Sequence, residues 1–572
     1  MNPTDVREGG QERAVAHPPT EVADRRLPLR TLLALAVIVI LPVIAWSVRL
    51  GPYVGAGDDA IYLILGRDLA EEGRYRDRAV PGDPPHRQYP PGYPLIIATV
   101  LSWSGERSLL DIDVPLRALN VVFLLGSVPL ALALQRGRER RAVVFASLFL
   151  WLFHPQTIEL AGSVLTEVPY LFFSFVGILA FERLVLEGSE TKVRGGLRWP
   201  VAAAALAWPV YVRVNGIALG VAAVATLMLR RRVRAGLLFG GLWLVMLLPL
   251  LVAMAGAGSS VGYAGFWSAK DIEGGGASPI AAGDLIYLLL QGARAYAGML
   301  PDALFMWGKY GRPAFPVSLA LAAGLLVVGL LGRLKTKCVF QEFYVLAFLL
   351  ILVAFPIRSL RYLFPVFPFV TLYVVRGLDT VAQFVGPAMR VRRPEWIQVG
   401  ALAAILLAGF ASGLHFHRSE AAEAAIPPAK RVYGGWVPGQ WEAIHWLGAN
   451  SRPDAVAMTR KSNLLYLLTG RKSVSYPPTS AERVLQEVGR YRVQYIVEEP
   501  SEGAERHIRP AMERLLSQGR ITLVYETSGR VPNRVWRVER EAREGSVVLP
   551  RGPRPANDSR GLVAEDRRAA TR

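Results

Sequence analysis

Residues 31–48, TLLALAVIVILPVIAWSV, run for eighteen positions without a charged side chain, and comparable apolar blocks recur as far as residue 414. Blocks of about this length match the hydrocarbon thickness of a bilayer. A soluble chain spreads its apolar residues at short period instead. The composition agrees: 52% of the 572 residues are hydrophobic and only 19% are charged. A polytopic membrane protein is the class that this pattern admits.

The blocks read as spanning are 31–48, 115–134, 142–158, 165–182, 199–212, 215–229, 236–254, 315–332, 341–356, 362–375 and 396–414. The block 92–104 is shorter and follows a proline pair, which suits a re-entrant or interfacial segment. Residues 31–48 lack a basic n-region and a small-residue cleavage site, so they read as a retained first helix. The net charge of +19 raises the question of nucleic acid, but its distribution points to the membrane. With the N-terminus cytoplasmic, the inner loops 136–141, 183–198, 230–235, 333–337 and 376–393 hold nineteen basic and four acidic residues. The outer segments 49–92 and 255–313 hold ten basic and eleven acidic ones. That asymmetry is the positive-inside pattern, so no nucleic-acid partner is expected.

The expected fold is an α-helical polytopic membrane protein of about 11 transmembrane helices, with a small C-terminal extracytoplasmic α/β domain. A cytoplasmic disordered arm (1–30) precedes a transmembrane domain (31–415) whose outer loops are 49–92 and 255–313. From 416 to 540, predicted helices (438–449, 481–489, 505–518) alternate with β-branched runs (454–458, 493–498, 521–526, 534–538). A disordered tail (541–572) follows. The expected location is the cell inner membrane. The single cysteine, Cys338, can form neither an internal disulfide nor a multi-cysteine metal site.

The first outer loop carries most of the chemistry. Asp58 and Asp59 open a stretch with Ile61, Ile64, Leu65 and Leu69 on one face, which predicts a helix lying on the membrane surface. Asp58 fits a helix N-cap. Caps are far commoner than catalytic carboxylates, but the two readings are compatible, since a carboxylate near a helix N-terminus is kept ionised and a general base must start ionised. Other polar residues gather on the same outer side: His154 and Glu167 in HPQTIELAGSVLTEVPY, Arg213 and Asn215 in YVRVNG, and Arg358 and Arg361 in FPIRSLRYLFPVFPF. Singly, each fits an interfacial anchor or a snorkelling residue. Together, an acid and several guanidiniums at one membrane face suit an anionic, lipid-linked substrate. No phosphate-binding glycine loop, nucleotide fold, zinc motif or serine nucleophile elbow is present.

These pieces in order resemble the GT-C superfamily of membrane glycosyltransferases, most of all its protein-O-mannosyltransferase and lipid A aminoarabinose-transferase branch. The resemblance rests on one spanning helix, then GDDAIYLILGRDLAEEGRY, then YPPGYPLIIA, and much later RYLFPVFPF, with weaker support from SVLTEVPY, VRVNGIAL and LLYLLTGR. It implies a glycosyltransferase (EC 2.4 class) that moves a sugar from a polyprenyl-phosphate donor to a lipid, glycan or protein acceptor outside the cytoplasm, with inversion. Asp58 would be the general base, Asp59 would position acceptor or loop, and Arg358 and Arg361 would hold the leaving phosphate. Arg213 and Glu167 would complete the substrate site. The family's phosphate-contacting lysine before the proline pair is Tyr89 here, so that Arg87 or His86 would have to stand in. No cofactor is called for, and a divalent metal stays open. Two other classes fit a polytopic chain: a transporter or flippase for a lipid-linked glycan, and a non-catalytic cell-envelope assembly protein. Transporters place charges near the midplane, where these blocks are nearly free of them.

Overall fold

A computed structural model describes residues 58–104, 113–187, 195–255, 282–305, 315–335, 339–355, 358–388, 400, 407, 439–476, 481–499, 502–528 and 532–539. The block 31–48, nearly all of 396–414, most of 255–313, the arm and the tail lie outside the described residues. The chain divides into two compact units. One is helical and holds the described residues up to 388 except 77–84; the other holds 77–84 with 439–539.

The helical unit is built from α1 (Asp58–Glu72), α2 (Gly92–Ser104), α3 (Asp113–Gln135), α4 (Arg141–Leu152), α5 (Pro155–Ala161), α6 (Glu167–Phe181), α7 (Gly195–Val212), α8 (Ile217–Leu229), α9 (Val233–Ala255), α10 (Ala282–Phe305), α11 (Phe315–Leu334), α12 (Val339–Ala354) and α13 (Phe367–Ala388). A 3₁₀ segment, Leu360–Val366, leads directly into α13. Among the described residues five helices are long and apolar enough to cross a membrane, or six if the pair α4–α5 counts as one span. That pair is bent by 62°, so the block 142–158 is a broken element and not a straight helix. Pro155 at the first position of α5 supplies the break, because it cannot donate into the preceding turn. The expected count of eleven is not reached within the described residues.

Membrane residence is written on the helix surfaces. On α9, Leu237, Leu238, Leu244, Val245, Leu248, Leu251 and Val252 are all exposed. A continuous apolar stripe on a helix of this length is the surface that a lipid-facing span presents. The protein is a multi-pass membrane protein.

Two elements differ from the sequence reading. α1 does not turn an apolar face outward: residues Asp59 to Gly66 are all buried, so the helix is enclosed by protein on every side there. A helix segment buried all round needs no amphipathic face, and the polar exposure of α1 lies at its two ends, at Asp58 and from Arg67 onward. Within the expected outer loop 255–313, residues 282–305 form α10, packed on α11 and α12.

The second unit is a five-stranded sheet of order β2-β1-β3-β5-β4. Its elements are α14 (Gln440–Asn450), β1 (Val456–Met458), α15 (Ser462–Thr469), β2 (Lys472–Val474), α16 (Ala481–Arg490), β3 (Tyr495–Glu498), α17 (Glu502–Ser517), β4 (Ile521–Glu526) and β5 (Arg534–Val538). β2, β1 and β3 run parallel, and β5 pairs antiparallel with β3 and β4. Side chains alternate across the sheet. Met458, Ile496 and Trp536 face the core formed with Val484 and Val488 of α16 and Met512 and Leu515 of α17. The sequence reading missed α15 and β2. Residues 77–84 add to the β2 edge, where the Ser473 amide donates to the Ala79 carbonyl at 2.7 Å and Lys472 Nζ reaches Asp83 at 2.5 Å.

Candidate active site

Four segments distant in sequence bring charged side chains to one end of the helical unit: the start of α1, the start of α6, the residue after α7 and the 3₁₀ segment. Each is placed by a local event. Asp58 and Glu167 open their helices, where the macrodipole favours a carboxylate. Arg213 is extended (φ −149°, ψ 133°) between α7 and the turn Val214–Gly216, which swings its side chain away from the helix axis. Arg361 sits in the tight turn that the two prolines of FPVFP separate from a regular helix.

The result is a chain of alternating charges. Arg361 pairs with Asp58 through Nη2 and lies 3.8 Å from Glu167 Oε1 through Nε. Glu167 in turn accepts from Arg213 at 2.7 Å, and Arg213 also donates to Thr166 Oγ1 at 2.9 Å. Both guanidiniums pack over the Tyr362 ring, 5.2 and 5.5 Å from its centroid, a favourable cation–π geometry. Glu167 is buried, whereas 35% of the Asp58 side chain remains exposed. Asp58 is therefore the carboxylate that an incoming molecule can reach.

Asp59 is of a different kind. It is buried, and neither carboxylate oxygen meets a hydrogen-bond partner. Burial pushes its carboxyl up to about 7, with Asp58 and Asp113 adding to the shift and its own amide and Arg361 opposing it. Behind it lies a polar wall of Tyr93, Asn120 and the buried pair Asp113–Arg117 (2.5 Å). Asn120 ties this wall to the loop before α6 by donating to the Ser163 carbonyl at 2.5 Å.

Arg358 is half-buried and its Nε has no hydrogen-bond partner. Nearby, the buried Tyr296 of α10 stands in the field of Arg358, Arg213 and Tyr362. His86 and Tyr89 lock to each other: the Tyr89 amide donates to His86 Nε2 at 3.0 Å and the rings stack at 5.6 Å. Tyr75 secures the same turn by donating to the Tyr89 carbonyl. Arg87, between them, is half-buried. His154 caps α5, its Nδ1 accepting from the Gln156 amide at 3.1 Å.

Gly92 connects the proline motif to the charged chain. A Cβ there would meet the Tyr211 carbonyl oxygen at 2.6 Å and the Val212 amide at 3.0 Å. Only glycine lets α2 start against the end of α7 from which Arg213 projects. Among the described residues no group of three or more His, Cys, Asp or Glu could hold a metal ion.

No protein-family model matches the chain, and no curated protein does. Solved structures do. Apo ArnT from Cupriavidus metallidurans superposes with a TM-score of 0.50 at 13% identity, over 89% of this chain and 98% of that one. The Archaeoglobus fulgidus oligosaccharyltransferase, tethered with an acceptor peptide containing the NVT sequon, superposes with a TM-score of 0.51 at 12% identity. That match covers 81% of this chain and 69% of that one. The chain has the GT-C fold.

Within the GT-C fold the motif pieces fall where the site is: GDDAIYLILGRDLAEEGRY on α1, YPPGYPLIIA on the entry to α2, and RYLFPVFPF on the 3₁₀ segment and α13. Sequence reasoning named all four members of the charged chain. It missed Thr166 and Tyr362, although both lie inside motifs it quoted, and it missed Tyr296, Asn120 and Arg117, which carry no motif.

Proposed function

We propose that this protein is an integral-membrane glycosyltransferase that moves a sugar from a polyprenyl-phosphate donor to a lipid, glycan or protein acceptor on the non-cytoplasmic side. The observation that carries this reading is the chain Asp58–Arg361–Glu167–Arg213, with its reachable carboxylate at one end. The GT-C fold supports it through architecture alone. In this reading the N-terminus is cytoplasmic, the transmembrane unit is catalytic and the α/β domain is extracytoplasmic.

Asp58 is the general base. It takes the proton from an acceptor hydroxyl or amine, which attacks the anomeric carbon as the bond to the donor phosphate breaks. Attack from the face opposite the leaving group inverts the anomeric centre. Arg361 trades partners: it holds Asp58 while the site is empty and turns to the donor phosphate when that arrives, freeing the carboxylate to accept a proton. Glu167 keeps Arg361 and Arg213 oriented through this exchange. Arg358, with its open Nε donor, meets the same phosphate as charge grows on it. Asp59, buried behind Asp58 and pushed toward its protonated form by that burial, holds the start of α1 in place and so positions the loop that carries the base. His86, Arg87 and Tyr89 shape the turn beside this phosphate site.

The test is Asp58→Asn in membranes supplied with polyprenyl-phosphate sugars. Transfer should fall by about a thousandfold or more, the scale on which a general base acts together with its surroundings, while abundance and insertion stay unchanged. Transfer at the wild-type rate rejects Asp58 as the base.

A further inference from the structure

The α/β domain has its own cluster of polar side chains. Sheet order places β1 between β2 and β3, with the chain running from β1 to β2 and then over to β3 on the far side. That arrangement makes a topological switch point, and in open α/β sheets ligands bind outside the carboxyl ends of the strands at such points. The residues that follow the three parallel strands are Thr459, Arg460 and Lys461 after β1, Ser475 and Tyr476 after β2, and Glu499 after β3.

Their geometry builds a floor and a rim. Glu499 is buried and accepts from Thr459 Oγ1 at 3.0 Å. Burial pushes its carboxyl up, with Thr459 and then Arg460 opposing. Tyr476 is 7% exposed and its hydroxyl has no hydrogen-bond partner. Its ring belongs to the core that Met458 and Val474 form with α16 and α17, and the charges of Glu499 and Arg460 act on the hydroxyl. Ser462 and Ser475 share a hydrogen bond of 2.8 Å at the start of α15, and Ser475 and Arg460 reach the surface. A buried phenol without a partner is costly unless something supplies one.

We infer that the carboxyl ends of β1, β2 and β3 form a second ligand site, separate from the charged chain of the helical unit, that takes a phosphorylated sugar unit. Arg460, Lys461 and the positive end of α15 suit the phosphate. Glu499, Thr459 and Tyr476 suit sugar hydroxyls, which both donate and accept. This inference does not depend on the proposed transfer reaction.

Amide hydrogen exchange on the full chain in lipid nanodiscs tests it. The probes are the 1-phosphates of glucose, galactose and mannose, with free glucose and inorganic phosphate alongside. At least one sugar phosphate should protect 459–462 and 496–499 saturably, and at least about tenfold more tightly than either free glucose or inorganic phosphate, a difference of about 1.4 kcal/mol. Arg460→Ala and Tyr476→Phe should each weaken that protection severalfold while β4 and β5 keep their native exchange. Asp58→Asn and Arg361→Ala should leave it intact, which separates this site from the one in the helical unit. Absence of saturable protection by all three sugar phosphates overturns the inference. So does protection unchanged by Arg460→Ala and Tyr476→Phe, or abolished by Arg361→Ala. Equal protection by inorganic phosphate alone would reduce the site to a simple anion contact and reject the sugar.

Discussion

Two adjacent aspartates meet opposite environments one residue apart. Asp58 opens α1, partly exposed and paired to Arg361; Asp59 turns inward and is buried without a hydrogen bond. A carboxyl pushed up to about 7 by burial binds its proton more tightly folded than unfolded. Its stabilising contribution is therefore complete below about pH 4, declines as pH rises, and is gone above about 7. Asp59→Asn, which cannot ionise, should flatten the dependence of melting temperature on pH between 4 and 7 and raise the melting temperature at pH 8. A thermal-melt series of the purified protein checks both. An unchanged pH profile would mean that Asp59 is ionised in the folded chain and that burial does not hold its proton.

At the scale of elements, α6 joins two polar clusters. Glu167 at its start belongs to the candidate site; Glu182, about 22 Å further along the axis, belongs to a buried network at the other end. There Arg333 of α11 is fully buried and bonds Glu342 of α12 at 2.8 Å, Gln135 of α3 at 2.9 Å and Glu139 at 3.0 Å. Gln341 joins Arg333 (3.0 Å) to Glu182 (3.1 Å), and Arg376 of α13 also pairs with Glu139. The spans thus do carry charge, placed toward one end and paired across neighbouring helices. Glu342→Ala should cost roughly 3 kcal/mol by leaving a buried guanidinium short of a carboxylate. Arg333→Met with Glu342→Leu should recover most of that, as measured by thermal inactivation in detergent. Gly92→Ala should act on another joint. By pushing α2 off the Tyr211 carbonyl it should shift Arg213 and lower transfer at least about tenfold with normal abundance; unchanged transfer would remove Gly92 from the account.

For the whole molecule, the exposed apolar stripe of α9 sets the boundary with lipid. Leu244, halfway along the helix, is 52% exposed. Leu244→Lys should cost roughly 2.5–3.5 kcal/mol at the bilayer centre, whereas Leu237→Lys, near the helix end, should cost less because the ammonium can reach the interface. The membrane-integrated fraction of each variant reports the difference; equal integration would place Leu244 in a water-filled or protein-covered environment. The α/β unit follows soluble rules instead, with alternating strands and two helices closing one core. β1, β3, β4 and β5 were nearly complete in the β-branched pattern. β2 was missed because Lys472 and Ser473 leave it a single apolar residue, so no apolar run marks it.

The sequence by itself determined that this chain lives in a membrane, where most of its helices run, and which charged residues to watch. Those properties depend on local composition and on the length of apolar runs. Only the tertiary structure decided that Asp58, Glu167, Arg213 and Arg361 form one connected chain, that α1 is enclosed by protein, and that Asp59 is a buried acid beside a reachable one. Burial and ion pairing depend on which distant segments meet, and no local pattern in α1 records that Arg361, 303 positions away, will be its partner.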